Sequence, residues 1–72
     1  MSTLPALTAK QVVRVLEKAG FSFVRQKGSH RIYVSDATSV TVPYHTGDLR
    51  RGTIYKIIKQ AGFIPEEFVK LL

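Results

Sequence analysis

The apolar positions change their period twice along the chain. Val12, Val13, Leu16 and Ala19 recur at helical spacing. Thr8 and Gln11 stand three residues apart, as in a capping box, and Leu7 can staple to Val12. Gly20 supplies a left-handed stop, so the spacing predicts a helix over 9–19. From Phe21 to Pro43 the period falls to two. Ile32 and Val34 alternate with Arg31, Tyr33 and Ser35, and Val40 and Val42 alternate with Ser39 and Thr41. This is the pattern of strands with one wet face. Lys27-Gly28 and Ser35-Asp36-Ala37-Thr38 punctuate it as turns. Pro43 ends the last strand, because it has no N–H for the ladder. The first strand, about 21–27, is less regular: Phe23 and Val24 are neighbours and would point to opposite faces.

After a polar loop from Tyr44 to Leu49, the helical period returns. Ile54, Ile57, Ile58 and Ala61 form an apolar stripe that stops at Gly62. Pro65 followed by Glu66 and Glu67 reads as the first turn of a short last helix, docked by Phe68, Leu71 and Leu72. The order is helix, three antiparallel strands, helix, short helix. A sheet with one wet face must cover the other, and two amphipathic helices are available to do so. The expected fold is an α+β two-layer sandwich, α-β-β-β-α with a short C-terminal helix, the helices on one face of the sheet. Double-stranded-RNA-binding domains share this order. One domain over residues 1–72 is expected, since a chain this short buries only ~60% of its unfolded surface.

Charge sharpens the picture. Eleven Lys and Arg face five Asp and Glu, giving +6 at pH 7. That excess favours an anionic partner: nucleic acid, an acidic protein or a membrane surface. Lys10, Arg14 and Lys18 recur every four residues as one basic stripe, most simply a solvated helix face. There are no cysteines, which excludes disulfides and thiolate metal sites. No apolar run reaches the ~20 residues of a membrane span, and Met1-Ser2-Thr3-Leu4-Pro5 does not resemble a signal peptide, so a cytoplasmic protein without a membrane partner is expected.

Candidate chemistry narrows to a few residues. Asp36 and Asp48 are isolated in turns, and Glu66 and Glu67 lie side by side near a helix start. No carboxylate cluster is in view to hold Mg²⁺, and no His/Cys/Asp spacing suggests zinc. Neither a metal nor a cofactor is expected. Two histidines remain. On position alone, His30 at the head of a strand is most often structural or a surface residue. Its neighbours argue for more. Gly28 permits close backbone approach to a phosphate, Ser29 offers a hydroxyl, and Arg25, Lys27 and Arg31 bring positive charge. Imidazole gives or takes a proton near neutral pH. Metal-free RNA cleavage needs such a group, beside cations that stabilise the phosphorane. DNA lacks the 2′-hydroxyl and would be a poor substrate. One conflict is visible. His30 shares parity with Ile32 and Val34, so a regular strand turns it toward the core. Either it lies beyond the helix layer, or a bulge at Gly28 re-aims it. His45, just past Pro43, is a second proton carrier, a phosphate contact or an ordinary loop histidine.

Arg25-Gln26-Lys27-Gly28-Ser29-His30, preceded by Ala19-Gly20-Phe21, resembles the signature of HicA-type toxins. Val40-Thr41-Val42-Pro43, then His45, then Gly52-Thr53-Ile54 and Ile58-Lys59-Gln60-Ala61-Gly62-Phe63 resemble the rest of the family pattern, over roughly 8–68. The resemblance implies a toxin of a HicAB toxin–antitoxin pair. Such proteins have a double-stranded-RNA-binding-like fold and cleave mRNA without a metal. The family's catalytic histidine maps onto His30. Arg25, Lys27, Gly28, Ser29, Arg31 and His45 are then expected to hold RNA. The implied partners are mRNA and a HicB-type antitoxin that blocks the active face, and the free toxin is expected to be a monomer. The same order and charge would also serve a non-catalytic RNA-binding module, which has no reason for the Gly-Ser-His run.

Overall fold

The computed structural model describes residues 4–72; the reading of Met1, Ser2 and Thr3 lies outside them. The first helix, α1, spans Ala9–Lys18. Its start is the expected capping box. Thr8 Oγ1 accepts from the Gln11 backbone N–H at 3.3 Å, and Gln11 Oε1 accepts from the Thr8 N–H at 2.9 Å. Gly20 turns the chain at φ +97°, and the Phe21 N–H then reaches the Leu16 carbonyl at 2.9 Å. Strands β1 (Ser22–Lys27), β2 (His30–Ser35) and β3 (Thr38–Pro43) form an antiparallel sheet in the order β1-β2-β3. Helix α2 spans Arg51–Ala61 and ends at Gly62 with φ +85°, while α3 spans Pro65–Lys70. The α+β architecture and its element order agree with the reading of the sequence.

Which face of the sheet carries the core departs from that reading. Val40 and Val42 are fully buried, as the alternation predicts. Across the ladder Val40 pairs with Tyr33, and Val42 with Arg31. Residues directly opposite share a face, so Tyr33 is the core residue of β2. It is only 1% exposed. Ile32 and Val34, expected in the core, lie on the opposite face and are half-buried. The cause is that β2 has apolar residues at both parities. Its own alternation cannot set its phase, and the register against β3 does.

The irregular first strand has an equally local cause. Phe23 pairs with Tyr33, but Arg25 pairs with Ile32, so one extra residue, Val24, is inserted between them. A bulge of this kind reverses the facing of everything that follows it. Phe23 stays on the helix side, edge-on to Tyr33 with ring centroids 5.7 Å apart. Arg25 and Lys27 emerge on the open side.

The core is built from Val12, Val15 and Leu16 of α1, Ile54, Ile57 and Ile58 of α2, and the inner face of β2 and β3, with Phe68 of α3 closing one end. Leu4 and Leu7, which precede α1, are also buried in it. The Leu49 N–H donates to the Leu7 carbonyl at 2.8 Å, and Thr8 bridges to Asp48. The segment before α1 is thus tied to the loop that leads into α2. Lys18 of the basic stripe is not merely solvated: its ammonium donates to the Leu71 carbonyl at 3.0 Å.

The face assignment has a direct test. Tyr33→Ala should destabilise the fold by about 3 kcal/mol or more, as loss of a buried aromatic ring does, whereas Ile32→Thr should cost under about 1 kcal/mol. Urea denaturation midpoints measure both, and equal losses would reverse the assignment.

Candidate active site

Two turns and one helix face determine what surrounds His30. The β1–β2 hairpin closes with Lys27 paired to His30, leaving a two-residue loop of Gly28 and Ser29. Gly28 has φ +61°, and Ser29 does not share the positive φ. This is the pattern of a type II′ turn, which favours glycine at its first central position. A Cβ added at Gly28 would meet nothing within 4 Å, so the outer side of the turn is open.

His30 sits at the end of β2 opposite Pro43, on the same face as Ile32 and Thr41. Because the core lies on the other face, that parity directs His30 outward, and its side chain is exposed. Neither alternative raised from the sequence is needed. His30 does not have to lie beyond the helix layer, and the bulge is at Val24 rather than Gly28.

Around His30 is a groove of about 250 Å³ between the end of the sheet and α2. Thr41 and Pro43 form the sheet wall, and Thr53, Lys56 and Gln60 the helix wall. The Gln60 side chain also approaches the free edge of β3, its Oε1 lying 3.5 Å from the Thr41 nitrogen. Lys27 faces the open side as the cross-strand partner of His30, and Arg25 lies two residues along the same face. The groove therefore combines an imidazole, an ammonium, two hydroxyls and an amide, with two further cations on the adjoining strand. Such a set can bind a phosphodiester and move a proton on it.

Thr53, Lys56 and Gln60 were missed by the sequence reading. Their spacing puts them on one side of α2, next to the apolar stripe. That signal was present, but nothing local says which strand the side meets.

Two expected residues are not beside His30. Arg31 alternates to the helix side, where its guanidinium lies 3.7 Å above the Tyr44 ring and 5.7 Å from the Phe23 ring. Its Nε donates to Gln26 Oε1 at 3.1 Å, and the Gln26 amide donates to the Gly28 carbonyl at 2.9 Å. The Tyr44 N–H donates to the Ser29 carbonyl at 2.6 Å. Arg31 thus holds the Gly28–Ser29 turn against Tyr44. His45 is exposed and lines a different cleft, with Lys10. Its Nδ1 lies 3.0 Å from the Thr46 carbonyl.

Among the described residues, no group of three His, Asp or Glu side chains could hold a metal ion, and no helix is long and apolar enough to cross a membrane. The structure is thus a small basic α+β domain with an exposed histidine beside lysines at one end of its sheet. The family described as HicA toxin of bacterial toxin–antitoxin systems matches residues 9–63, well over half of the chain. The chain belongs to this family, and it is accordingly a toxin of a toxin–antitoxin system. Comparison with curated proteins gives no match. The family's toxins are of the ribonuclease type, and the family partner is the HicB antitoxin.

Gly28→Ala tests the turn. The added methyl meets open space, so the cost is backbone strain alone, about 1–2 kcal/mol of stability. Chemical denaturation measures it, and a loss above about 3 kcal/mol would mean that the turn is packed rather than open.

Proposed function

We propose that the protein is a metal-independent endoribonuclease that cleaves mRNA in the cytoplasm, with His30 as its catalytic residue. The observation that carries this reading is the outward placement of His30 in a polar groove, with Lys56 in the wall and Lys27 directly across the ladder. A phosphodiester laid over the Gly28–Ser29 turn meets open space, the Ser29 hydroxyl and the charges of Arg25, Lys27 and Lys56. His30 then either takes the proton of the 2′-hydroxyl that attacks phosphorus or gives one to the departing oxygen. The lysines offset the charge that builds on the phosphorane. Family membership over residues 9–63 supports the same reaction class.

The exposed face around His30 also suits inhibition by the antitoxin. An acidic surface of a HicB-type partner laid on Arg25, Lys27 and Lys56 would cover the imidazole and exclude RNA together. A free monomer of one domain, inhibited from outside, is the simplest arrangement.

His30→Ala should lower RNA cleavage by ~10²–10⁴-fold while the circular-dichroism spectrum is unchanged, because positioned acid–base groups contribute about that much. Full cleavage by the folded variant would overturn the assignment. RNA binding by both proteins without any cleavage would favour a non-catalytic RNA-binding module. Cleavage should persist in EDTA; loss on chelation with recovery in Mg²⁺ or Mn²⁺ would refute the metal-free chemistry. Lys56→Gln should weaken cleavage about tenfold, more than Lys70→Gln on α3, measured as kcat/KM on the same RNA.

A further inference from the structure

The cleft that His45 lines is not absorbed by the groove around His30. It measures about 430 Å³, larger than the His30 groove and within the range of small-ligand sites. Lys10, at the start of α1, forms one wall, and Tyr44, His45, Thr46 and Gly47 form the other. Lys10 stands on α1, whereas the helix wall of the His30 groove is α2, and His30 and Tyr44 leave the same end of the sheet. The two hollows therefore flank the same end of the sheet.

They also share a frame. His30 pairs with Pro43, and His45 is two residues beyond Pro43, at most about 7 Å of chain. The Tyr44–Ser29 hydrogen bond and the Gly28–Gln26–Arg31–Tyr44 chain of contacts clamp the turn to the loop. The relative position of the two hollows is set by this clamp.

The chemistry of the cleft fits one nucleotide. The Thr46 carbonyl can only accept, so His45 Nδ1 carries the proton in that contact. In the neutral ring Nε2 is then a free acceptor, suited to an amino or imino N–H of a base. The exposed His45 ring offers stacking surface, and the Lys10 ammonium offers a phosphate contact.

We propose that this cleft is a second RNA subsite, holding a nucleotide that flanks the scissile phosphate, so that the substrate is a single strand bent round the Gly28–Ser29 turn. The proposal rests on the ribonuclease reading and deepens it: it assigns substrate form and a second set of contacts. A continuous duplex is too stiff to turn from the groove walled by α2 into the cleft walled by α1 round this end of the sheet. A single strand bends there freely.

The test uses the full chain carrying His30→Ala, to prevent cleavage, and a mixed-sequence single-stranded RNA hexamer as probe. Adding Lys10→Gln and His45→Leu, both at exposed positions, should lower hexamer affinity about tenfold or more. The slope of log Kd against log salt should become shallower by about 0.7 for the lost phosphate contact. Titrated into labelled protein, the hexamer should move the amide resonances of both the Thr41–Lys56 groove and the Lys10–Gly47 cleft. A blunt duplex of the same sequence should leave the cleft resonances unmoved. Unchanged affinity and salt slope in the double variant, with the hexamer moving only the groove resonances, would overturn the second subsite and leave the ribonuclease reading standing. No binding of the hexamer to the His30→Ala protein at all would overturn both.

Discussion

The pairing register of β2 on β3 is the constraint on which the rest of this molecule depends. Val40 and Val42 must be buried, and the ladder hands their face to Tyr33 and Arg31. His30 is left on the other face. Had β2 slipped by one residue, His30 would point at the helices and Tyr33 at solvent. A buried tyrosine ring, worth several kcal/mol, thereby holds an exposed histidine in place. Stability and site are coupled through one ladder, with no contact between the two side chains.

The bulge at Val24 does for the cations what the register does for the histidine. Without it, Arg25 and Lys27 would follow Phe23 to the helix side. With it, they join His30 on the open side while Phe23 keeps its edge-on contact with Tyr33. One extra residue in an edge strand therefore separates an apolar anchor from two cations that lie close to it in sequence. The same bulge blunts β1 as an edge open to further strand pairing.

The positive charge divides into several roles. Lys27 and Lys56 stand at the histidine, from a strand and from a helix. Arg31 is a positioning residue, laid on Tyr44 and hydrogen-bonded through Gln26 to the Gly28 carbonyl. Lys18 holds the last turn of the chain through the Leu71 carbonyl. A formal charge of +6 is thus not a uniform coat. Some of it stands exposed beside His30, and some of it holds the backbone that shapes that end of the sheet.

Much of the fold was legible in the chain because its signals are local. The Thr8–Gln11 capping box, Gly20 and Gly62, Pro65 with its two glutamates, and the alternation of Val40 with Val42 each act within a few residues. They mark the three helices, the third strand and several of their ends. The Arg25-to-His30 run marked the candidate site for the same reason, since its residues are contiguous. The phase of β2 was not legible, because Ile32, Val34 and Tyr33 offer apolar surface at both parities and only pairing with β3 chooses between them. The departure of Arg31 toward Tyr44, and the arrival of Thr53, Lys56 and Gln60 beside His30, were likewise settled by packing. Contacts between residues distant in sequence depend on how helices seat on a sheet, and no local pattern encodes that seating. The sequence by itself determined which elements form and marked a contiguous run of candidate residues; the tertiary structure decided which residues face one another.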